Sequence, residues 1–466
     1  MKKLLPRKIA RKIMGSISVF LLIVLFGAQF PCQAKLEYDS SNTLKKTYEP
    51  SIKIGIAVNQ SSVIISANTD FELAAASETG MKPTLILGKF RSKDRVVLTA
   101  KNGYVALNNK QMPVQSLAVI LRHPNGIRSS EDSIEVSERH YRGSIEVRAT
   151  GGNNGLTVIN TVPVEQYLYG VIKNEISPDW PIEAVKAQAV AARTYAMANL
   201  NKHKADGFDV CTTTDCQIYG GRESEAFRAI EAVDSTRGLV LTYDGKLITA
   251  YFHSSSGGYT ENSENVWSAY LPYLRGVVDT DQYSPYYKWD KSIPLHEVNA
   301  MLGKAGYKVG SLQAIELTPL SKPPVNVADR GISGRVKTLR LIGANGEVYI
   351  TGAKFRSLFG LNSTLFDINF ASAGQMAATD KTDAFKYRNT KVGNTSSTKN
   401  ISSHNNIRYV INKKGSLVIS GFGWGHGLGL SQWGAKAMAD KAQGNPEYFK
   451  DILKHYYQGV EIIKLY

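Results

Sequence analysis

Cysteine is scarce in this chain, and the sequence shows neither an internal repeat nor an apolar run long enough for an ordinary membrane span. The 466 residues include three cysteines, of which only Cys211 and Cys216 follow the N-terminal region. An apolar run over 13–28 falls short of the ~20 residues that a membrane-spanning helix needs. The 43% hydrophobic and 21% charged content is typical of a globular protein and excludes a disordered one.

The N-terminus has the pattern of an export signal. Basic residues precede the apolar run, and Ala34 offers a small residue at a cleavage point. We therefore expect residues 1–34 to be a signal peptide or an uncleaved membrane anchor, and residues 35–50 to be a tether. The remaining chain is then secreted or anchored to the outer face of the cytoplasmic membrane.

The formal net charge is +16, because acidic residues are fewer than basic ones. Part of this charge belongs to the N-terminal basic cluster. A positive surface is either simply solvated or attracts an anionic polymer. Outside the cytoplasm, the second interpretation favours the cell wall or the membrane surface as the partner and argues against nucleic acid.

Residues 51–160 predict a β-rich module. Short runs that alternate apolar and polar residues are separated by turn signals such as Asn102-Gly103. We find no cluster of catalytic side chains in this module.

Residues 161–466 predict a mixed domain, so that the expected fold class is α+β. A short helix over 164–172 is followed by a turn and by a long alanine-rich helix, which opens at Pro181 and reaches about His203. Further strands follow. A polar stretch at about 372–406 lacks periodicity and predicts a flexible insertion. A glycine-rich segment and two helices end the chain.

Glu175 is the first candidate for chemistry, because it lies in the predicted turn between two helices. Cleavage of a glycosidic bond needs a carboxylic acid whose pKa is raised, so that it can donate a proton. Ile172, Ile176 and Trp180 are apolar neighbours that can desolvate it. Taken alone, the signal is weak, because a glutamate in a polar turn is usually a solvated surface charge.

Several blocks, in order, resemble the SpoIID/LytB family. They are VPVEQYLYGV at 162–171, NEI at 174–176, WPIEAVKAQAVAARTY at 180–195, YFHSSSGG at 251–258, GFGWGHGLGLSQWG at 421–434 and HYYQG at 455–459. The blocks cover roughly residues 160–460.

This resemblance implies a peptidoglycan lytic transglycosylase that cleaves glycan strands stripped of stem peptides and leaves 1,6-anhydro-muramyl ends. The family's catalytic glutamate corresponds to Glu175, which would act alone as acid and then as base. A hydrolase would need a second carboxylate. The family blocks further suggest substrate contacts by Arg193, Gln188, His253, Ser254 and His426. Glu165 and Glu183, by contrast, are expected on helix surfaces.

The two cysteines have three open interpretations: a disulfide, a metal site or free thiols. The resemblance implies zinc, which some family members are reported to bind in this segment. Cys211, Cys216 and His253 would supply three ligands, and Asp215 a weaker fourth. No cofactor is required by the sequence, so a zinc ion here would be structural.

Two alternatives to an enzyme stay open. One is a non-catalytic wall-binding protein that enhances an amidase, and the other is a scaffold subunit of a wall-remodelling complex in the membrane. In each case the partners are peptidoglycan glycan strands and other wall hydrolases.

Overall fold

Alternation of apolar and polar residues builds the first strands. In Ser51–Gln60, Ile52 and Ile54 are buried while Ser51 and Lys53 are exposed, the period of two of a half-buried strand. The computed structural model describes residues 48–76, 85–123, 129–150, 155–372, 407–410 and 415–466. The strands up to Pro163 are β1 Ser51–Gln60, β2 Ser62–Ala67, β3 Asp70–Ala75, β4 Ile86–Phe90, β5 Val96–Lys101, β6 Tyr104–Leu107, β7 Lys110–Gln111, β8 Ser116–Arg122, β9 Ile134–Val136, β10 Arg139–Tyr141, β11 Ser144–Thr150 and β12 Gly155–Pro163.

Helices appear only after β12 in the described part of the chain. They are α1 Val164–Glu175, α2 Ile182–Ala198, α3 Phe227–Ser235, α4 Ser263–Trp267, α5 Leu295–Lys304, α6 Gly352–Phe359, α7 Gln432–Ala439 and α8 Phe449–Tyr456. The strands among and after them are β13 Val210–Cys211, β14 Leu239–Tyr243, β15 Lys246–Leu247, β16 Phe252–His253, β17 Lys288–Pro294, β18 Leu312–Leu317, β19 Thr338–Gly343, β20 Gly346–Thr351, β21 Phe366–Ser372, β22 Ile407–Val410, β23 Gly415–Phe422, β24 Leu430–Ser431 and β25 Glu461–Lys464.

Two sheets form the β-rich region. One has seven strands in the order β13-β1-β12-β11-β8-β3-β4, and the other has six in the order β10-β9-β2-β5-β6-β7. The later strands form four small sheets, β15-β14-β25, β16-β24, β17-β23-β21 and β20-β19-β18-β22. β13 joins β1 in parallel, so a strand from the helical region completes the larger N-terminal sheet.

The apolar side chains form two cores. The first runs from both N-terminal sheets into α1, α2, α3, α7 and α8, and therefore crosses residue 160. The second lies between α5, α6 and the strands β17 to β23. In α2 nearly every residue from Glu183 to Ala198 is buried, because its alanines let neighbouring elements approach closely.

The predicted α+β class with a β-rich N-terminal region is confirmed. The predicted domain boundary at 160 and 161 stays a prediction. α1 continues three residues beyond the predicted 172, so Glu175 ends a helix instead of lying in a turn. α2 begins at Ile182 and ends at Ala198, before the predicted His203.

The predicted signal peptide and most of the predicted tether and insertion lie outside the described residues. Within the described part, no helix combines the length and the apolar character that crossing a membrane requires.

Candidate active site and metal cluster

Glu175 is a half-buried carboxyl group at the C-terminal end of α1. Burial raises its pKa, and the backbone N–H of Ile218, which donates to Oε1 at 3.2 Å, opposes that rise. Among the described residues it forms no ion pair. The negative end of the helix dipole also disfavours a carboxylate at this position. The geometry therefore favours the protonated acid that the sequence predicts here.

Asn174 holds the segment that contacts Glu175. Its Nδ2 donates to the carbonyl of Ile218 at 3.2 Å and to that of Gly170 at 3.0 Å, while Ser224 donates to its Oδ1 at 3.1 Å. Consecutive residues of α1 therefore bind both the N–H and the C=O of Ile218. This double contact fixes the one hydrogen-bond donor that Glu175 has among the described residues.

The same segment carries one candidate metal ligand, Cys216, two residues before Ile218. His203, Cys211, Asp215 and Cys216 bring one ligand atom each to within 4.8 Å of one another. Cys216 Sγ lies 3.5 Å from His203 Nε2 and 3.8 Å from Asp215 Oδ2, and Asp215 Oδ2 lies 3.1 Å from His203 Nε2. In a tetrahedral zinc site, ligand atoms lie roughly 3.3–3.8 Å apart. The side chains therefore fit a zinc ion, although Asp215 also pairs with Lys202 at 3.1 Å.

The structure corrects the predicted ligand set. His253 is not part of the cluster, whose ligand atoms come from the four residues above; its Nδ1 instead lies 3.1 Å from the carbonyl of Leu428. His203 takes that place. Both cysteines are free thiols in the structure, and burial raises the pKa of Cys216 to about 12. The sequence offered one signal for His203 as a ligand, since it is the histidine nearest to Cys211 in the chain.

Arg193 does not lie where a substrate could reach it. It is completely buried, and its guanidinium makes a two-pronged ion pair with Glu165 at 2.6 and 2.9 Å. Its remaining N–H groups donate to Thr236 and to backbone carbonyls. The expected substrate contact is therefore not supported, because every donor of the guanidinium is occupied inside the protein.

Two further expectations about α1 and α2 are wrong because the side chains concerned are buried. Glu165 and Glu183 are buried, not on helix surfaces. Glu183 pairs with Lys186 at 2.8 Å and accepts the N–H of Phe449 at 3.0 Å. Gln188 is also completely buried, and neither of its amide atoms has a partner in the described structure. Its position does not support the expected contact with substrate.

His253 and His426 lie together, as the family blocks suggest, with ring centroids 5.5 Å apart. Burial lowers the pKa of His426 to about 3 and that of His253 well below its usual range, so both are neutral. Leu428 accepts from His253 Nδ1, which leaves the buried Nε2 as an acceptor without a partner in the described structure. Ser254 is half-buried. Its carbonyl accepts a hydrogen bond from the backbone N–H of Trp433 at 3.1 Å.

The glycine-rich segment packs on the 251–258 segment. A Cβ on Gly425 would lie 2.7 Å from His253 Cβ, and one on Gly423 would lie 2.5 Å from the carbonyl oxygen of Ser255. Both glycines have positive φ, 116° and 70°, a region that side chains disfavour. The glycines therefore allow this segment to pack closely against the 251–258 segment.

Two buried carboxyl groups anchor the 251–258 segment, and sequence reasoning missed them. Ser255 and Ser256 donate to Asp281 and Asp279, each at 2.5 Å. Tyr456 adds a hydrogen bond to Asp279 at 2.8 Å. Burial and the neighbouring Asp281 raise the pKa of Asp279. The two serines therefore hold this segment in place.

Comparison with known proteins identifies the class. The SpoIID family model, described as stage II sporulation protein, matches residues 152–243. An uncharacterized protein of Brachyspira hyodysenteriae is 31% identical over 378 residues, which cover 80% of this chain and 86% of that protein. Stage II sporulation protein D of Bacillus subtilis is 30% identical over 320 residues, 65% of this chain and 75% of that protein. The amidase enhancer of the same organism is 31% identical over 350 residues, 72% of this chain but 45% of its own length.

The chain belongs to the SpoIID family. The family match includes α1, α2 and the metal cluster, and so contains Glu175 together with the segment that contacts it.

Proposed function

We propose that this protein is a cell-wall enzyme, a lytic transglycosylase that cleaves peptidoglycan glycan strands with Glu175 as its acid and base. The observation that carries the proposal is the carboxyl group of Glu175: its pKa is raised by burial, and no cation in the described structure pairs with it. A raised pKa favours the protonated form of the carboxyl group, which general acid catalysis needs.

The chemistry balances with one carboxyl group. Glu175 gives its proton to the glycosidic oxygen while the bond from the anomeric carbon to that oxygen breaks. The carboxylate then accepts the proton of the C6 hydroxyl of the same sugar, whose oxygen bonds to the anomeric carbon. The product carries a 1,6-anhydro ring, and no water is consumed. Strands stripped of stem peptides are the proposed substrate.

A zinc ion would be held by His203, Cys211, Asp215 and Cys216. Four protein ligands complete a tetrahedral shell, which is typical of a structural site. Such an ion would supply stability to the loop from Cys211 to Ile218. The chemistry stays with Glu175, which is not among the ligands.

The proposed location is outside the cytoplasmic membrane, secreted or anchored to its outer face, because the N-terminal sequence has the pattern of an export signal. The proposed partners are glycan strands and other wall hydrolases or membrane complex subunits. Nucleic acid is not a proposed partner.

A second function is favoured by the amidase enhancer of Bacillus subtilis among the relatives. In that case the protein would bind the wall and stimulate a separate amidase without cutting glycan. Glu175 would then have no role in chemistry.

Digestion of stem-peptide-free glycan strands in water enriched in heavy oxygen tests the proposal. Mass spectrometry of the fragments should show 1,6-anhydro ends without heavy oxygen. Heavy oxygen in new reducing ends would instead identify a hydrolase. Retention of the protein on the strands without any fragment would favour the enhancer.

A further inference from the structure

We propose that a row of aromatic side chains, formed by the exposed Tyr286, Trp424 and Trp267 and the half-buried His426, binds the glycan strand. We call these four side chains the aromatic row. The inference rests on the proposed function, because it assigns the sugar-binding surface of the same protein.

The rings of the row contact one another in pairs. Trp424 and Tyr286 have centroids 4.6 Å apart, and Trp267 and His426 have centroids 4.9 Å apart. Trp424, Trp267 and Tyr286 are 43%, 41% and 40% exposed. Trp424 and His426 are separated by one glycine, so the two pairs are neighbours along the glycine-rich segment.

Backbone hydrogen bonds fix the position of the row. Trp424 exchanges two hydrogen bonds with Ser255, at 2.8 and 3.1 Å. Gly425 lies between Trp424 and His426 in the chain and packs closely against His253. Its positive φ of 116° is unfavourable for any residue larger than glycine. Rings that are fixed in advance lose little conformational entropy when a ligand binds.

The composition of this surface favours sugars over an apolar protein partner. Within 260–290 and 415–430, all described, the large hydrophobic side chains that are exposed are Trp and Tyr apart from Val278. Such rings offer an apolar face to the C–H face of a sugar and a polar edge to its hydroxyls. His426 is neutral and adds no charge to the surface.

Contacts link the row to the chain segment that follows Glu175. The backbone N–H of Trp433 donates to the carbonyl of Ser254, the residue before the Ser255 that pairs with Trp424. Trp433 in turn contacts Trp180 with centroids 4.6 Å apart, and Trp180 lies in the connection that follows Glu175. The row and the proposed acid therefore belong to connected parts of the fold.

Binding to insoluble stem-peptide-free glycan strands tests the row. Glu175→Gln is present in every variant so that no cutting occurs. Trp424→Ala and Trp267→Ala should each weaken retention on the order of three- to tenfold. Tyr349→Ala is the matched control, because Tyr349 is an exposed aromatic on β20 with Arg340 over its ring, and it should bind as the parent does.

A second measurement covers the case in which a variant fails to fold. In protein with fluorinated tryptophans, the fluorine resonances of Trp267 and Trp424 should shift when strands are added. Trp289, whose indole N–H is bound to the carbonyl of Gly423, is the internal reference.

Two outcomes would overturn the inference. Unchanged retention of both alanine variants, or unshifted resonances of both tryptophans in wall-bound protein, would remove the row but leave Glu175 as the acid. A parent protein that neither binds nor cuts the strands would overturn the proposed function itself, and the row with it.

Discussion

The two ends of α1 carry two glutamates in different surroundings. Glu165, in the first turn, is buried with Arg193, and also accepts the hydroxyl of Tyr466 and the N–H of Gly238. Glu175, at the last residue, has only the N–H of Ile218 among the described residues. The helix dipole favours a carboxylate at the first position and disfavours one at the second. One helix therefore carries a glutamate held by buried partners at one end and, at the other, the glutamate that we propose as the proton donor.

The largest expected effect concerns the Glu165 end. Arg193→Met should lower the free energy of unfolding by about 3–5 kcal/mol, because it leaves a buried carboxylate without its cation. Denaturant unfolding measures it. Arg148→Met is the control, since the pair of Arg148 with Glu146 is partly exposed and should be worth ~1 kcal/mol or less. Equal losses for the two variants would contradict the comparison.

The next effect concerns the metal cluster beside the Glu175 end. We expect zinc near one equivalent in purified protein, and its loss in Cys216→Ser and His203→Ala. His253→Ala should keep it. At a free zinc concentration a hundred times its Kd, binding would stabilise the fold by about 2.7 kcal/mol. A chelator should therefore lower the melting temperature. Zinc loss in His253→Ala, with retention in His203→Ala, would restore the ligand set predicted from the sequence.

A smaller effect should come from Asn174→Ala. Loss of its bond to Ile218 releases the N–H that stabilises the Glu175 carboxylate, so the Glu175 pKa should rise further. The alkaline limb of the pH–rate profile should therefore move to higher pH, with kcat reduced by a factor that corresponds to about 1 kcal/mol.

Asn199→Ala is the matched control for this variant. Asn199 directly follows α2, and its side chain donates to the carbonyl four residues earlier, at 2.8 Å, as that of Asn174 does to Gly170 at 3.0 Å. It makes no contact with Ile218. A shifted profile in both variants, or in neither, would remove Asn174 from the account.

The smallest expected effect is on stability. A carboxyl group whose pKa is raised on folding binds its proton more tightly in the folded state, so its ionisation costs stability as pH rises through the folded pKa. Glu175→Gln should therefore melt at or above the parent's temperature at neutral pH, and this difference should vanish below pH ~4. A lower melting temperature at neutral pH would indicate that the carboxylate is stabilised instead.

Local patterns in the sequence predicted the α+β class, the β-rich N-terminal region and the start of the alanine-rich helix next to Pro181. Periodicity and proline or glycine positions are local properties, and they suffice for such elements. The end of α1 was predicted too early, because tertiary contacts of Asn174 and Glu175 extend the helix.

Contacts between distant segments could not be predicted in this way. Arg193 meets Glu165 from another helix, and His203 reaches Cys216 only because a tight turn at Lys204–Asp206 sends the chain back. Glu175 came from a family block, and its raised pKa depends on burial that no local pattern determines. Asp279 and Asp281 carry no motif of their own, so only the fold reveals what the serines of the 251–258 segment bind.

The rate at which stem-peptide-free strands acquire 1,6-anhydro ends, compared between the parent and Glu175→Gln, tests the central claim most directly. We predict a loss of at least ~10²-fold, since general acid–base catalysis contributes ~10²–10⁴-fold. Asp179→Asn, an exposed carboxylate four residues away, should cut at the parent rate. Cutting by Glu175→Gln at the parent rate would show that the acid lies elsewhere.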